Sequence, residues 1–221
     1  MPSQPTLTLS FLGGTGPQGQ GLARRFALAG YPVVLGSRDA GRAAESAAAL
    51  ALSTGGQVTG LDNAAAAAAG DVVIVAVPWD GHAELLAGLT AQLAGKIVID
   101  CVNPLGFDKQ GAFALTVAEG SAAEQAALLL PESRVVGAFH HVSAELLVDP
   151  TVSVIESDVL VLGDDREATD LVAALVGDIP GMRGTFGGRL RNAHQVEALT
   201  ANLISINRRY KTHSGLQISG L

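Results

Sequence analysis

Leu7-Thr8-Leu9-Ser10-Phe11-Leu12 runs straight into Gly13-Gly14-Thr15-Gly16-Pro17-Gln18-Gly19-Gln20-Gly21, and the reading of this stretch decides the fold. A short apolar run stopped by closely spaced glycines reads as a buried strand followed by a tight turn. Pro17 suits a first helical position, where its missing N–H is not needed. Leu22, Phe26 and Leu28, with alanines between them, give the following helix an apolar side. Gly30 is a helix stop, and Val33-Val34-Leu35 is the next strand, so the whole reads as one β-α-β unit. Within it, Gly14-x-Gly16-x-x-Gly19 has the spacing of a dinucleotide-binding turn: one glycine for the turn, one for bare backbone against a pyrophosphate, one for close helix–strand contact. The helix N-terminus then faces the anion. A tight turn without a ligand is the structural alternative.

The strand and helix rhythm continues outward from that unit. Asp39 to Leu52 and Asp62 to Ala69 read as alanine-rich helices around a weak strand, Gln57 to Gly60. Val72 to Val77 is apolar on both faces, as a central parallel strand should be, and Pro78 ends it. Gly81 to Leu93 reads as helix and Lys96 to Asp100 as strand. After a looser segment to Phe113, a helix is expected over Ser121 to Leu130, strands over Arg134 to Phe139 and Asp158 to Leu162, and helices over Glu167 to Val176 and Arg191 to about Arg209. No repeat and no linker-like composition divides the chain. The expectation is one doubly wound α/β domain, with a mainly parallel sheet and a small helical C-terminal extension.

The 221 residues, 48% hydrophobic and 16% charged, suffice for such a core and exclude a disordered chain. Mean hydropathy is +0.34, yet the longest apolar run, Val72 to Pro78, falls far short of the roughly 20 residues that span a bilayer. Net charge of −7 disfavours nucleic acid and anionic lipid. The single cysteine, Cys101, permits no internal disulfide, and MPSQPTLTLS lacks the pattern of a secretory leader. A cytoplasmic protein is expected.

Cofactor choice is read at the end of the second strand, where an NAD enzyme places a carboxylate against the ribose. Here the tip reads Gly36-Ser37-Arg38, with Arg42 beyond it. An arginine and a hydroxyl are what a 2′-phosphate requires, and an i, i+4 step would put both guanidinium groups on one helix face. NADP(H) is therefore expected; surface pairing of these arginines with Asp39 or Glu45 is the alternative.

Other chemistries find no constellation. The chain has no GxSxG, HExxH or CxxC. Adjacent His140 and His141 would point opposite ways on extended backbone, and His82, His194 and His213 show no ligand spacing, so no metal site is expected. Asp164-Asp165 reads as a helix cap. His140, Asn103-Pro104 and Pro78-Trp79 each follow a strand, on the side where open α/β sheets bind ligands. Three strand ends thus converge on one crevice.

The set Phe11 to Gly21, Val34-Leu35-Gly36-Ser37-Arg38, Val75-Ala76-Val77-Pro78-Trp79, Val136-Gly137-Ala138-Phe139-His140, Leu162-Gly163-Asp164-Asp165 and Val196-Glu197-Ala198-Leu199-Thr200 resembles the F420-dependent NADP reductase family. The resemblance implies a Rossmann-like NADP-binding domain over residues 1–180 and a helical extension over 181–221 that contributes to a deazaflavin site, the two forming one compact unit and a homodimer. It implies hydride transfer between C4 of the nicotinamide of NADP(H) and C5 of the 8-hydroxy-5-deazaflavin coenzyme F420. By the same resemblance, Gly14, Thr15, Gly16, Pro17, Gln18 and Gly19 would hold the pyrophosphate. Ser37, Arg38 and Arg42 would hold the 2′-phosphate, and Val77, Pro78 and Ala144 would line the nicotinamide end. Asn103, Pro104, Thr200 and the catalytic His140 would flank the deazaflavin, with His141 leaving the choice of ring open. Pyrroline-5-carboxylate reductases share the first half, so an NADPH-dependent imine or carbonyl reductase and a non-catalytic NADP(H) sensor stand beside this reading.

Charge is also uneven along the chain. From Arg183 to Leu221 six basic residues face one acid, Glu197, an excess of five, so the remainder carries −12. A basic C-terminal segment beside the crevice could receive the phosphate and glutamate tail of the deazaflavin; a role in a dimer, or at the end of the last helix, is the alternative.

Overall fold

The computed structural model describes residues 7–221; residues 1–6, on which the expectation about a leader partly rests, lie outside the described residues. Strands are β1 (Leu9–Leu12), β2 (Val33–Ser37), β3 (Val58–Asp62), β4 (Val72–Val75), β5 (Ile97–Asp100), β6 (Leu105–Asp108), β7 (Gly111–Ala114), β8 (Arg134–Gly137), β9 (Ser157–Gly163) and β10 (Met182–Gly188). Helices are α1 (Pro17–Leu28), α2 (Ala40–Thr54), α3 (Asn63–Ala69), α4 (His82–Ala87), α5 (Thr90–Leu93), α6 (Ala122–Leu129), α7 (Ala144–Val148), α8 (Arg166–Gly177) and α9 (Ala193–Tyr210). Eight strands form one sheet in the order β10-β9-β8-β5-β4-β1-β2-β3. All neighbours pair in parallel except β8 and β9, so the doubly wound reading holds with an antiparallel turn near one edge. Every residue of β1, β2, β4 and β5 is buried, as continuous apolar runs between two helix layers require. Two clusters, one on each face, make the core: one around Phe11, Phe26, Phe139 and Val172, the other around Leu12, Val73, Leu86 and Ala123.

Local chemistry accounts for most boundaries. Pro17 opens α1 at its first position. Asp39, Asp62, Ser121 and Asp165 accept the N–H of Arg42, Ala65, Glu124 and Ala168 at the starts of α2, α3, α6 and α8, the Asp165 cap being the one expected.

Four departures matter. The helix expected over Gly81 to Leu93 is broken into a 3-10 turn at Trp79–Gly81, α4 and α5, with Gly88 and Leu89 between the last two. The strand expected to reach Phe139 ends at Gly137, because Phe139 adopts φ 63, where a strand cannot continue. The segment read as loose up to Phe113 forms the β6–β7 hairpin, and the short α7 falls in a stretch to which the sequence assigned no element. The segment 181–221, expected to be helical, begins with β10, which pairs with β9 as an edge of the main sheet. Its sequence, Met182-Arg183-Gly184-Thr185-Phe186-Gly187-Gly188, carries three glycines and hides its strand character. Gly184 is required there, since a Cβ would lie 2.5 Å from backbone atoms of Ala173 in α8.

Candidate functional site

The glycine turn is held from three sides. Gly13 has φ +72, and a Cβ there would meet Val77 Cγ1 at 2.7 Å and the Ala76 carbonyl at 2.9 Å, so only glycine fits between the ends of β1 and β4. The Gly14 N–H donates to the carbonyls of Phe11 and Gly36 at 3.1 and 2.9 Å, tying the turn to the tip of β2. A Cβ on Gly19 would sit 2.8 Å from Gly14 Cα, so its absence lets α1 start against the turn. Asn63 supports the arrangement from α3: its Oδ1 accepts the Gly13 N–H at 3.4 Å. The cradle therefore has the bare backbone and free helix N-terminus that a pyrophosphate requires.

At the tip of β2, the buried Ser37 accepts the Asp39 N–H at its Oγ, 3.3 Å, which leaves its own O–H free to donate. Arg38 and Arg42 are exposed, and among the described residues neither guanidinium pairs with a carboxylate. The Asp39 carboxylate is engaged as the cap of α2, so the surface pairing considered from sequence is not formed. One expectation changes in its geometry: Arg38 precedes the cap residue and stands outside the helix, so the helical i, i+4 argument does not apply to it. Arg42 sits in the first turn of α2, where a cation opposes the helix dipole. Two uncompensated cations beside a free hydroxyl suit an anion.

A cavity of about 560 Å³ opens at the carboxyl ends of β1, β5 and β8. Gln18, Asn103, His140, Ala144 and Thr200 all border it, so five expected site residues from four separated stretches meet there. Gln18 is fixed by a bond from its Nε2 to the Phe139 carbonyl, 3.2 Å. Asn103 Nδ2 and Thr200 Oγ1 both donate to the His140 carbonyl, at 2.8 and 3.0 Å. Pro104 is buried behind Asn103, with its carbonyl accepting the Leu115 N–H at 2.9 Å. Val77 and Pro78 do not border this cavity; Val77 packs on the glycine turn and Pro78 is exposed at the start of the 3-10 turn. Trp79 lies on His82, ring centroids 5.5 Å apart, which makes its role packing.

The histidine pair lies differently from what the sequence implied. Phe139 in the left-handed region swings the chain, and the His140 side chain is fully buried. Its Cε1 packs over Gly137, where a Cβ would lie at 3.1 Å, and its Nε2 is 3.9 Å from Glu197 Oε1. Among the described residues neither ring nitrogen has a hydrogen-bond partner. His140 thus meets the crevice through its main chain, while the ring lies beneath it. His141 is also buried and turns toward β9, its Nε2 accepting the Leu160 N–H at 3.3 Å. Burial pushes the His140 pKa down to about 4, against the charge of Asp100. Burial and the neighbouring His140 take His141 to about 4 as well. Both rings are neutral at physiological pH.

The sequence reading missed a polar network under the crevice floor. His82 Nε2 meets Asp100 Oδ2 at 2.6 Å and its Nδ1 meets Gln125 Oε1 at 2.9 Å, with His82 and Asp100 fully buried. Burial opposes protonation of His82, but the Asp100 charge and the bonds from Asp100 and Gln125 outweigh it and raise its pKa. Glu197, buried on α9, accepts the N–H groups of Ala122 and Ala123 at the start of α6, 2.9 and 3.1 Å. Burial pushes its carboxyl up to about 7, against those two bonds and with the help of the Asp100 charge. The available signal was a lone acid at 197 between Ala193 and Ala201, residues that share one buried helix face.

A mainly parallel sheet in this strand order, with a glycine cradle at its first turn and an anion-suited tip on its second strand, defines a Rossmann-type fold of the dinucleotide-binding class. Residues 8–104 match the family described as NADP oxidoreductase, coenzyme F420-dependent. Over 97% of its length the chain is 38% identical to the F420-dependent NADP reductase of Methanothermobacter thermautotrophicus, covering 96% of that protein. It is 37% identical to the enzyme of the same name from Methanocaldococcus jannaschii, over 97% of this chain and 99% of that one. A solved structure from Arthrobacter sp. FB24, described as a candidate F420-dependent NADP-reductase, superposes with a TM-score of 0.80 at 27% identity, over 96% of this chain and 99% of that one. The chain belongs to the F420-dependent NADP reductase family.

Proposed function

We infer that this chain transfers a hydride reversibly between NADP(H) and coenzyme F420. The observation that carries the reading is one cavity bordered by Gln18 of the dinucleotide helix and, opposite it, by Asn103, the His140 main chain and Thr200, so two flat rings can meet there. NADPH supplies the hydride and the deazaflavin ring accepts it, or the reverse. The protein's part is to position the rings at contact distance, about 3 to 3.5 Å between reacting atoms, and to exclude water. Gly14, Thr15, Gly16, Pro17, Gln18 and Gly19 form the pyrophosphate cradle. The free Ser37 O–H donates to the 2′-phosphate, and Arg38 and Arg42 neutralise it. Ala144, which borders the cavity, and Val77 and Pro78, which lie outside it, are assigned to the nicotinamide end. Asn103, Pro104, His140 and Thr200 form the deazaflavin floor, in which His140 acts through its clamped carbonyl. No acid–base dyad is required for hydride transfer itself, in keeping with two neutral, buried histidines.

The test is optical: NADPH added to the protein and oxidised F420 bleaches the visible band of the deazaflavin, and NADH does so more slowly. Folded protein that binds NADPH without any bleaching would leave the sensor reading; turnover of a cyclic imine without deazaflavin would favour the pyrroline-carboxylate type. We further place the chain in the cytoplasm as a homodimer without a nucleic-acid partner, with 181–221 serving the deazaflavin site. In support, no described helix is long and apolar enough to cross a membrane and the net charge is −7. Phe107 and Phe113 are exposed, one on each face of the β6–β7 hairpin.

A further inference from the structure

Four of the six basic residues of the C-terminal segment separate into two pairs. Arg183 is spent on Asp158, at 2.6 and 2.8 Å, and Arg189 faces Asp164 at 3.4 Å. Arg208 and Lys211 border the 560 Å³ cavity and pair with no carboxylate among the described residues. Arg209, their neighbour on the same helix end, does not border it. The one acid on this rim, Glu145, faces His213 at 3.3 Å.

The backbone at this rim is shaped to present them. Lys211 closes α9 with φ 52 and ψ 52, a conformation that favours glycine and is here carried by lysine. Asn207 pins the turn: its carbonyl accepts the Thr212 N–H at 3.3 Å, and its Oδ1 accepts the N–H and O–H of Ser214 at 2.7 Å each. The chain then crosses to β9, where the Leu216 carbonyl accepts the Asp158 N–H at 2.8 Å. Residues 211–216 thus form a fixed strap along the cavity mouth. Basic residues in a last helical turn also suit the helix dipole, but that account applies equally to Arg208 and Arg209 and does not explain a lysine held in the left-handed region.

We propose that Arg208 and Lys211 form a subsite for the anionic tail of the ring-bearing co-substrate, a phosphate or carboxylate on a flexible arm, and so select tailed deazaflavins over tail-less ones. This rests on the hydride-transfer reading above. Charge-assisted contacts at a cavity mouth favour an anion that the acidic remainder of the surface repels.

The experiment measures equilibrium dissociation constants by quenching of deazaflavin fluorescence, for F420 and for the analogue carrying only the ribityl chain. It uses wild type, the Arg208→Gln/Lys211→Gly double variant and Arg209→Gln, with thermal melts to verify folding; glycine preserves the left-handed turn while removing the cation. Wild type is expected to bind F420 about ten-fold tighter than the analogue at low salt. The double variant loses about ten-fold for F420 and stays within about two-fold for the analogue, and Arg209→Gln changes neither by more than about two-fold. Equal wild-type affinities for the two ligands, or an Arg209→Gln loss matching that of the double variant, overturns the proposal. Bleaching by NADPH is scored separately. If both deazaflavins are reduced but bound equally, only the tail subsite fails; if both bind as expected and neither is reduced, the hydride-transfer reading fails; if neither binds, both fail.

Discussion

Replacing Arg38 by alanine tests the proposed 2′-phosphate contact. The side chain is exposed at the tip of β2, and the nearest acid in sequence, Asp39, already accepts the Arg42 N–H at 3.0 Å. Truncation therefore strands no buried partner, and stability should move by less than about 0.5 kcal/mol, as at ordinary surface sites. A charge-assisted contact to phosphate is worth about 1.5 to 3 kcal/mol when well formed. Solvent screening at an exposed position lowers that, and Arg42 and the Ser37 O–H remain, so a loss of about 1 to 2 kcal/mol is expected, or about 5- to 30-fold in Kd. NADH carries no 2′-phosphate and should change by less than about two-fold. Titration with each reduced nucleotide, followed by nicotinamide fluorescence, gives both constants, and raising salt should shrink the NADPH difference. Equal losses for NADPH and NADH, or no loss for either, would refute the assignment of this tip to the phosphate.

Gly19→Ala places a methyl 2.8 Å from Gly14 Cα; NADPH and NADH should weaken together, in contrast to Arg38, and stability should fall by about 1 to 3 kcal/mol in a thermal melt. Asn103→Ala removes one of two donors to the His140 carbonyl, so F420 affinity should fall while NADPH affinity holds, with about 1 kcal/mol lost in stability. For Glu197, the folded pKa of about 7 stands above the ordinary 4.5. The folded state prefers the protonated form, and its stabilising effect is complete below about pH 4.5 and lost as pH rises toward 7, on the order of 3 kcal/mol in all. Melting curves across that range should show wild type losing stability relative to Glu197→Gln as pH rises; a constant difference between the two would remove the buried carboxyl from the account.

The first half of the fold was legible because its signals are local. A strand, a glycine turn and a proline at the first helical position leave few alternatives, and Asp39, Asp62 and Asp165 act as caps where short acidic side chains precede apolar helices. What failed depends on distant partners. β10 is read as strand only because β9 is there to pair with it, its three glycines carrying no β preference of their own. The ring of His140 was expected in the crevice because its position after a strand is a sequence fact. Its burial follows from the left-handed Phe139 and the space over Gly137, neither of which periodicity reveals. Arg208 and Arg209 are indistinguishable in sequence, and only the course of α9 separates the one that borders the cavity.

The placement of charge fits the chemistry that the site performs. Hydride transfer between two bound rings moves charge without needing a side chain to exchange a proton with either reacting carbon, so ionisable groups at the ring contact would add solvation and little catalysis. In this chain the cations assigned to anions in the proposals above, Arg38 and Arg42 at one end and Arg208 and Lys211 at the other, stand at exposed rims. Between them the floor is built from a backbone carbonyl with both donors satisfied, 2.8 and 3.0 Å away. The ionisable side chains of this region, His82, Asp100, His140 and Glu197, are buried below that floor, where Glu197 joins α9 to α6 and His82 joins α4 to β5 and α6. Such a network fixes the relative positions of the elements that carry Asn103, His140 and Thr200. Its disruption should therefore loosen the deazaflavin floor before it alters the nucleotide cradle, which is held independently by Gly13, Gly14, Gly19 and Asn63.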